Sequence, residues 1–342
     1  LLVHLGDRRL LLAVFLDLEV CQGIQSAVQE LPQPLLQRHA GRAEVEQGGE
    51  LEGEAEVGEA LRAQDGLYLL VEHGSDVDCE VHVVGTIRDH LVGAHQPEAV
   101  LAALSDPSPR IVTMTITGNG YGLSSTGEFR ADDPAVDADL RNPDRPDTAF
   151  GYLVEALDRR RRAGTPPFTV LSCDNIPSNG TAARTSVVSF AELRDPRLAR
   201  WISDNVAFPN SMVDRITPVT TDADREEVGR RFGVQDGWPV VCEPFTQWAL
   251  EDAFNQGRPP FEDAGVQVVP DVEPYELMKL RLLNASHQAL CYFGYLSGYR
   301  LVHDVARDPA FASFLLTYMR REAEPTLEPV PGIDLGDYQH QL

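Results

Sequence analysis

The sequence predicts an α/β fold, a mostly parallel sheet with helices on both faces, followed by a mostly helical domain. Two observations carry this. From Leu67 onward, short apolar and β-branched runs alternate with amphipathic helical stretches, the pattern of successive βαβ units. Beyond Asp271 no strand pattern is convincing, and long runs rich in Leu, Met and Tyr take over. A boundary near residue 270 follows, giving an α/β domain over 60–270 and a helical one over 271–342.

Residues 1–59 fit neither texture. Leu1–Val20 is apolar but is interrupted by Asp7, Arg8, Arg9 and Asp17, so it reads neither as a membrane span nor as a secretion signal. The stretch 42–59 is a low-complexity run of Glu, Gly, Ala and Val without an aromatic residue, for which a solvated segment is the default. The elements then come in order. Leu67–Glu72 and Val81–Ile87 read as strands, Pro97–Leu104 as a helix, and Arg110–Thr117 as a strand ending in Gly118-Asn-Gly-Tyr-Gly122. Asp147–Arg162 is an amphipathic helix stopped by Gly164 and Pro166, and Phe168–Cys173 an apolar strand that breaks at Asp174-Asn175-Ile176-Pro177. Asp222–Phe232 reads as a helix and Pro239–Glu243 as a short strand. Tyr275–Tyr299 reads as one long helix, and Arg307–Arg321 as a second.

Composition narrows the function. A formal net charge of −24 repels nucleic acid and anionic membrane alike, which leaves a small molecule in a locally basic pocket. Five scattered cysteines, with no C-x2-C pair and no Cys/His cluster at zinc spacing, indicate a reduced, cytoplasmic protein with no structural metal.

Two places invite chemistry. Polar residues at the carboxyl edge of a parallel sheet sit where ligands gather, and Asp174 and Asn175 stand at such an edge. An Asx turn before Pro177 explains the same residues. In the helix from Tyr275, Lys279, Asn284 and His287 place a cation, an amide and an imidazole within nine residues of an apolar run. At about 100° per residue, Lys279 and His287 lie ~80° apart and Asn284 ~60° beyond His287, within one broad face. Spacing alone favours a plainer account: a snorkelling lysine, a kink-capping asparagine and a hydrogen-bonded core histidine.

Taken together, Thr169-Val-Leu-Ser-Cys-Asp-Asn175 with Asn179-Gly180, Phe208-Pro-Asn-Ser-Met-Val-Asp-Arg-Ile-Thr-Pro218, Trp238-Pro before Glu243-Pro-Phe, and Lys279 through His287 resemble the polyol-specific long-chain dehydrogenases, the mannitol dehydrogenase family. The resemblance runs from about Ala60 to the end. It implies a Rossmann-type domain joined to a helical one, and a zinc-independent, NAD- or NADP-dependent interconversion of a sugar alcohol and a ketose, mannitol and fructose first among them. Residue by residue, it implies Lys279 as general base, Asn175 and Asn284 as amides that hydrogen-bond the reacting oxygen, His287 as the substrate-orienting imidazole, and Asp214 in a supporting role. A monomer is expected. Hexuronate reductase and arabinitol dehydrogenase remain alternatives within the family, and a non-catalytic remnant outside it.

The pattern departs from the family in three places. The glycine-rich turn expected to meet the cofactor pyrophosphate is missing: Leu2-Val-His-Leu-Gly6 is followed by Asp7, which would repel phosphate, so no cofactor-binding residue is assignable. An incorrectly read segment, as a frame error would give, explains so abrupt a break better than a divergent domain. Gly118 stands where the family commonly has a glutamate. The chain also ends at Leu342 before the helical domain of this family would be complete, so a truncated domain with exposed apolar surface is expected.

Overall fold

In the computed structural model the chain divides into two compact units, Leu1–Val268 and Val269–Leu342. The structure describes residues 2–4, 11–15, 58–59, 61–74, 79–237 and 239–342, with side chains from residue 58 onward. Most of the anomalous segment 1–59, and Trp238 of the Trp-Pro motif, therefore lie outside the described residues.

The first unit is Rossmann-like. Strands β1 (Leu2–His4) and β2 (Leu11–Phe15) are followed by a hairpin of β3 (Tyr68–Glu72) and β4 (Glu80–Val84), then β5 (His90–Val92), β6 (Ile111–Thr115) and β7 (Thr169–Ser172). The main sheet has the order β5-β1-β2-β6-β7. Its pairs β5–β1 and β6–β7 are parallel, with Leu2 opposite His90 and Met114 opposite Ser172, and β2 runs antiparallel between β1 and β6. All four residues of β7 and the first four of β6 are buried, as continuous apolar runs covered on both faces should be.

Helices α1 (Pro97–Ser105), α2 (Thr117–Gly120), α3 (Pro134–Arg141), α4 (Ala149–Ala163), α5 (Asn179–Arg194) and α6 (Pro196–Asn205) follow in chain order. Leu101, Leu104, Phe150, Leu153, Val187 and Phe190 from these helices share one core with Val112, Met114 and Val170 of the sheet. Helix α4 begins where Thr148 Oγ1 accepts from Gly151 N at 3.0 Å and stops at Gly164, φ +71°, a position that glycine occupies without steric cost.

A fully buried arginine braces the sheet from below. The Arg160 guanidinium of α4 donates to the carbonyls of Leu104, Pro166 and Pro109 at 2.8–2.9 Å, and to that of Asp106. It lies 4.8 Å from the centre of the Phe168 ring. Burial lowers its pKa to about 10, and it remains a cation at neutral pH. Those carbonyls precede β6 and β7, so the amino ends of the two strands are tied together and their carboxyl ends emerge in fixed register.

Two three-stranded sheets complete the unit. Strand β8 (Ser211–Asp214) precedes helix α7 (Asp222–Phe232), β9 (Val240–Cys242), β10 (Gln247–Glu251) and β11 (Gln267–Val269). The orders are β4-β3-β9 and β11-β10-β8. Thr221 and Asp224 form a reciprocal capping box on α7, which fixes its start at the position the sequence predicts.

The second unit is helical. The predicted single helix over Tyr275–Tyr299 is three contiguous segments: α8 (Glu273–Met278), a π-helical stretch Lys279–Asn284, and α9 (Ala285–Leu296). The region predicted as helix Arg307–Arg321 begins just after α10 (Val302–Ala306) and holds α11 (Pro309–Tyr318), which runs into a second π segment, Met319–Ala323. Helix α12 (Leu335–Gln341) closes the unit. Val305 of α10 packs where Gly294 of α9 leaves room, since a Cβ on Gly294 would sit 2.7 Å from Val305 Cγ2. Tyr292, Tyr295 and Leu296 of α9 are exposed.

Candidate active site

In the first unit, the chain leaving β7 meets the chain leaving β6. The Asp174 carboxylate accepts from Ile116 N with both oxygens at 3.0 Å, from Thr117 N at 2.8 Å and from the Tyr121 hydroxyl at 2.7 Å. This is no local Asx turn; the side chain reaches across to the neighbouring strand's exit. The Tyr121 hydroxyl also lies 2.5 Å from Ser172 Oγ, and burial, then the Asp174 charge, hold its phenol well above the ordinary range. The Cys173 thiol is pushed up to about 12 by burial and then by Asp174.

Asn175 follows, exposed, in a turn pinned again at its far end. Asn179, fully buried, donates through Nδ2 to the carbonyls of Asp174 at 3.0 Å, Ser172 at 3.2 Å and Ser211 at 2.8 Å, and accepts from Ser211 N at 2.9 Å. Thr117 (φ +60°) and Ser178 (φ +48°) adopt left-handed backbone without being glycine, and such outliers persist only where surroundings over-determine them. Gly118 lies beside this turn, its missing Cβ 3.7 Å from Ile176 Cγ2. Asp214 sits at the end of β8, opposite Gln247 of β10. The adjacent Arg215 donates to the Glu243 carbonyl at 3.0 Å and pairs with Glu72 of β3, linking the two small sheets.

In the second unit, Lys279 is the first residue of the π segment and Asn284 the last, with His287 the third residue of α9. Lys279 is buried at 5% exposure, Asn284 is partly buried and His287 is exposed. Ala285 N–H donates to Leu280 O, five residues back, the widened turn that defines a π bulge. The α-helical angle reckoned between Lys279 and Asn284 is thereby corrected. Five-residue bonding turns the chain less per residue, so the two lie closer to one side than 100° steps allow. Tyr318 donates to the Arg281 carbonyl at 3.2 Å, and the Arg281 guanidinium donates to Thr326 Oγ1 at 3.1 Å and to the Thr326 carbonyl. His287 Nδ1 lies 3.7 Å from Cys291 Sγ.

The partners Tyr121, Ser172 and Ser211 escape a sequence reading, because the contacts of Tyr121 with Ser172 and Asp174, and of Ser211 with Asn179, span 32 to 53 residues of chain. The π turn did leave a signal. Apart from Lys279 itself, the buried positions Tyr275, Met278, Leu282, Ser286, Leu290 and Gly294 step by three once and by four thereafter. Nineteen residues over five turns is 3.8 per turn, more than the 3.6 of an α-helix.

Among the described residues, Glu72, Glu80 and His82 alone bring three potential metal-ligating atoms within 4.8 Å. Glu72 is already paired with Arg215, so the trio reads as a surface ion cluster on the β3–β4 hairpin. No described residues form a glycine turn at a helix N-terminus suited to a pyrophosphate. Residues 5–10, where that turn would follow β1, lie outside the described residues.

A Rossmann-like unit whose strand exits carry pinned polar residues, followed by a helical unit with a buried lysine at a π turn, places the chain in the class of α/β proteins with an appended helical domain. Comparison makes the assignment narrower. The mannitol dehydrogenase Rossmann domain matches residues 44–263 and the mannitol dehydrogenase C-terminal domain residues 271–342. The chain belongs to the mannitol dehydrogenase family. It is 47% identical over 292 residues to a mannitol dehydrogenase of Saccharomyces cerevisiae, covering 85% of this chain and 58% of that protein. It is 48% identical over 285 residues to a polyol:NADP oxidoreductase of Gluconobacter oxydans, covering 83% and 59%. Among solved structures, a substrate-free D-sorbitol dehydrogenase superposes with a TM-score of 0.82 at 45% identity, covering 86% of this chain and 60% of that one. The Pseudomonas fluorescens mannitol 2-dehydrogenase ternary complex with NAD and D-mannitol gives 0.79 at 47%, covering 86% and 59%. The chain thus spans under two thirds of the length of these relatives.

Proposed function

We propose that this chain carries the alcohol-oxidising residues of a metal-independent, NAD(P)-dependent polyol dehydrogenase that interconverts a sugar alcohol and a ketose, D-mannitol and D-fructose being the pair. The observation that carries the reading is the π turn, which presents the buried Lys279 and the partly buried Asn284 from one widened helical turn in a chain of the mannitol dehydrogenase family. The substrate and cofactor are those of the relatives: one is a mannitol 2-dehydrogenase in complex with NAD and D-mannitol, another a polyol:NADP oxidoreductase.

Oxidising a carbinol requires its hydroxyl proton to leave as the C–H electron pair departs, so negative charge grows on oxygen. When bound, NAD(P) supplies the acceptor for that hydride. The proposed work of this chain's own residues concerns the oxygen and the proton. Lys279 Nζ takes the proton as general base. Asn175 and Asn284 donate amide hydrogens to the oxygen as its charge develops, each such donor lowering the barrier by about 2.7–4 kcal/mol. His287 orients the neighbouring hydroxyls, and Asp214 supports the site. In the reverse direction Lys279 returns the proton to the nascent alkoxide.

Ketose-dependent oxidation of NADH and of NADPH tests this over fructose, fructuronate and tagaturonate, with arabinitol oxidation alongside. Turnover with fructose is expected, and Lys279→Ala should lower kcat by about 10²–10⁴-fold, the usual worth of a positioned base. No turnover on any of these substrates removes the enzyme reading and leaves a remnant.

A further inference from the structure

We propose that Asp174 and Asn179 are positioning residues for Asn175, two clamps that set the direction of its amide before substrate arrives. The inference rests on the role proposed for Asn175 and adds what makes that role possible. An exposed asparagine on a loop ordinarily samples several rotamers and backbone states, and orienting it is entropically costly. Here the backbone on either side of it is fixed to different strands. Upstream, the Asp174 carboxylate spans to Ile116 N, Thr117 N and the Tyr121 hydroxyl at 2.7–3.0 Å. Downstream, Asn179 Nδ2 returns to the Asp174 carbonyl at 3.0 Å while its Oδ1 takes Ser211 N at 2.9 Å. The same asparagine side chain thus closes the turn on itself and anchors it to β8.

The surroundings show that the turn is held rather than merely folded. Asp174 and Asn179 are buried at 7% and 0% exposure, in a position where an unmade hydrogen bond is expensive. Non-glycine residues in left-handed conformation occur on both borders, Thr117 bonded directly to Asp174 and Ser178 immediately before Asn179. Strain retained at two points around one exposed amide is the arrangement expected of a preorganised donor.

The test uses the full chain, with Asp174→Ala, Asp174→Asn and Asn179→Ala made alone and in an Asn175→Ala background. Asn at 174 keeps an acceptor for Ile116 N and Thr117 N and can donate to the Tyr121 oxygen, so it should restore most of what Ala loses. With D-fructose as substrate, each Ala variant should lower kcat at least tenfold with the KM for the nicotinamide cofactor unchanged, and should cost nothing further once Asn175 is Ala. Independently of activity, the heteronuclear NOE of the Asn175 side-chain NH2 should be high in the parent chain and in Asp174→Asn and should fall in both Ala variants. Losses that add to that of Asn175→Ala, or an NOE indifferent to the clamps, overturn the inference. If Asn175→Ala leaves turnover intact, the function proposed for Asn175 fails while the NOE still judges the clamp. Should Asp174→Ala not fold, Tyr121→Phe, which removes one of the carboxylate's donors, takes its place with the same expected readouts.

Discussion

Gly180→Ala sets two known effects of opposite sign against one another. Gly180 is the second residue of α5, and replacing a helical glycine with alanine ordinarily stabilises by about 0.5–1 kcal/mol. A Cβ here, however, would lie 2.4 Å from Pro209 O, 2.5 Å from Pro209 C and 2.6 Å from Phe208 O. All three are backbone atoms and cannot rotate away. Relief needs a retreat of roughly 1 Å, comparable with core overpacking at about 1–3 kcal/mol. The retreat also pulls Asn179 off Ser211, two buried bonds worth about 1 kcal/mol each. The net expectation is a loss of about 2–4 kcal/mol. Gly229→Ala in α7 is the control: its Cβ would meet only Val234 O at 3.8 Å, so propensity should win and stability rise by about 0.5–1 kcal/mol. Urea denaturation followed by tryptophan fluorescence reads both, since Trp201, Trp238 and Trp248 all fall in the first unit. A Gly180→Ala midpoint at or above that of the parent chain would refute the steric argument.

Two further outcomes follow from ionisation. Burial holds the Cys173 thiol at about 12, so iodoacetamide at pH 8 should label Cys173 of the native chain far more slowly than that of the urea-unfolded chain, as read by peptide mass spectrometry; equally rapid labelling of Cys173 in both contradicts the raised thiol. Glu262 is paired with Arg258, which holds its carboxyl at about 2 against an ordinary 4.5. A folded-state pKa below the unfolded one gives stability that is present above about 4.5 and lost as pH falls through 2. Glu262→Gln should therefore be less stable than the parent at pH 6, the difference narrowing below pH 4.5, and a difference that does not change with pH argues against the pair.

Much of the scaffold is legible in the residues. The strand exit at Asp174 and the helix Asp222–Phe232 stand out because their signals are local: an apolar run broken by Asp-Asn-x-Pro, and a Thr-x-x-Asp box closed by Gly233. What governs Asn175 is not local. The Asp174 carboxylate suits an Asx turn, and only the folded sheet shows that it serves a strand exit 58 residues earlier. Lys279, Asn284 and His287 are legible as a polar group on an apolar helix, but their geometry is not, since Leu and Arg between them favour an α-helix. The surplus of four-residue steps among the buried positions is the trace of the π turn. It is faint because one irregular turn shifts a stripe by only part of a helical rotation.

The widened turn has a consequence beyond the two side chains it carries. A π bulge amounts to one residue inserted into an α-helix, so everything after it is set back by one position. His287 occupies the azimuth that residue 286 would hold on an uninterrupted rod. Lys279 and His287 can thus be aimed independently although they ride the same helix. The bulge acts as a phase adjuster, and any change that restored regular winding between Lys279 and Asn284 would rotate the downstream imidazole away without touching either residue.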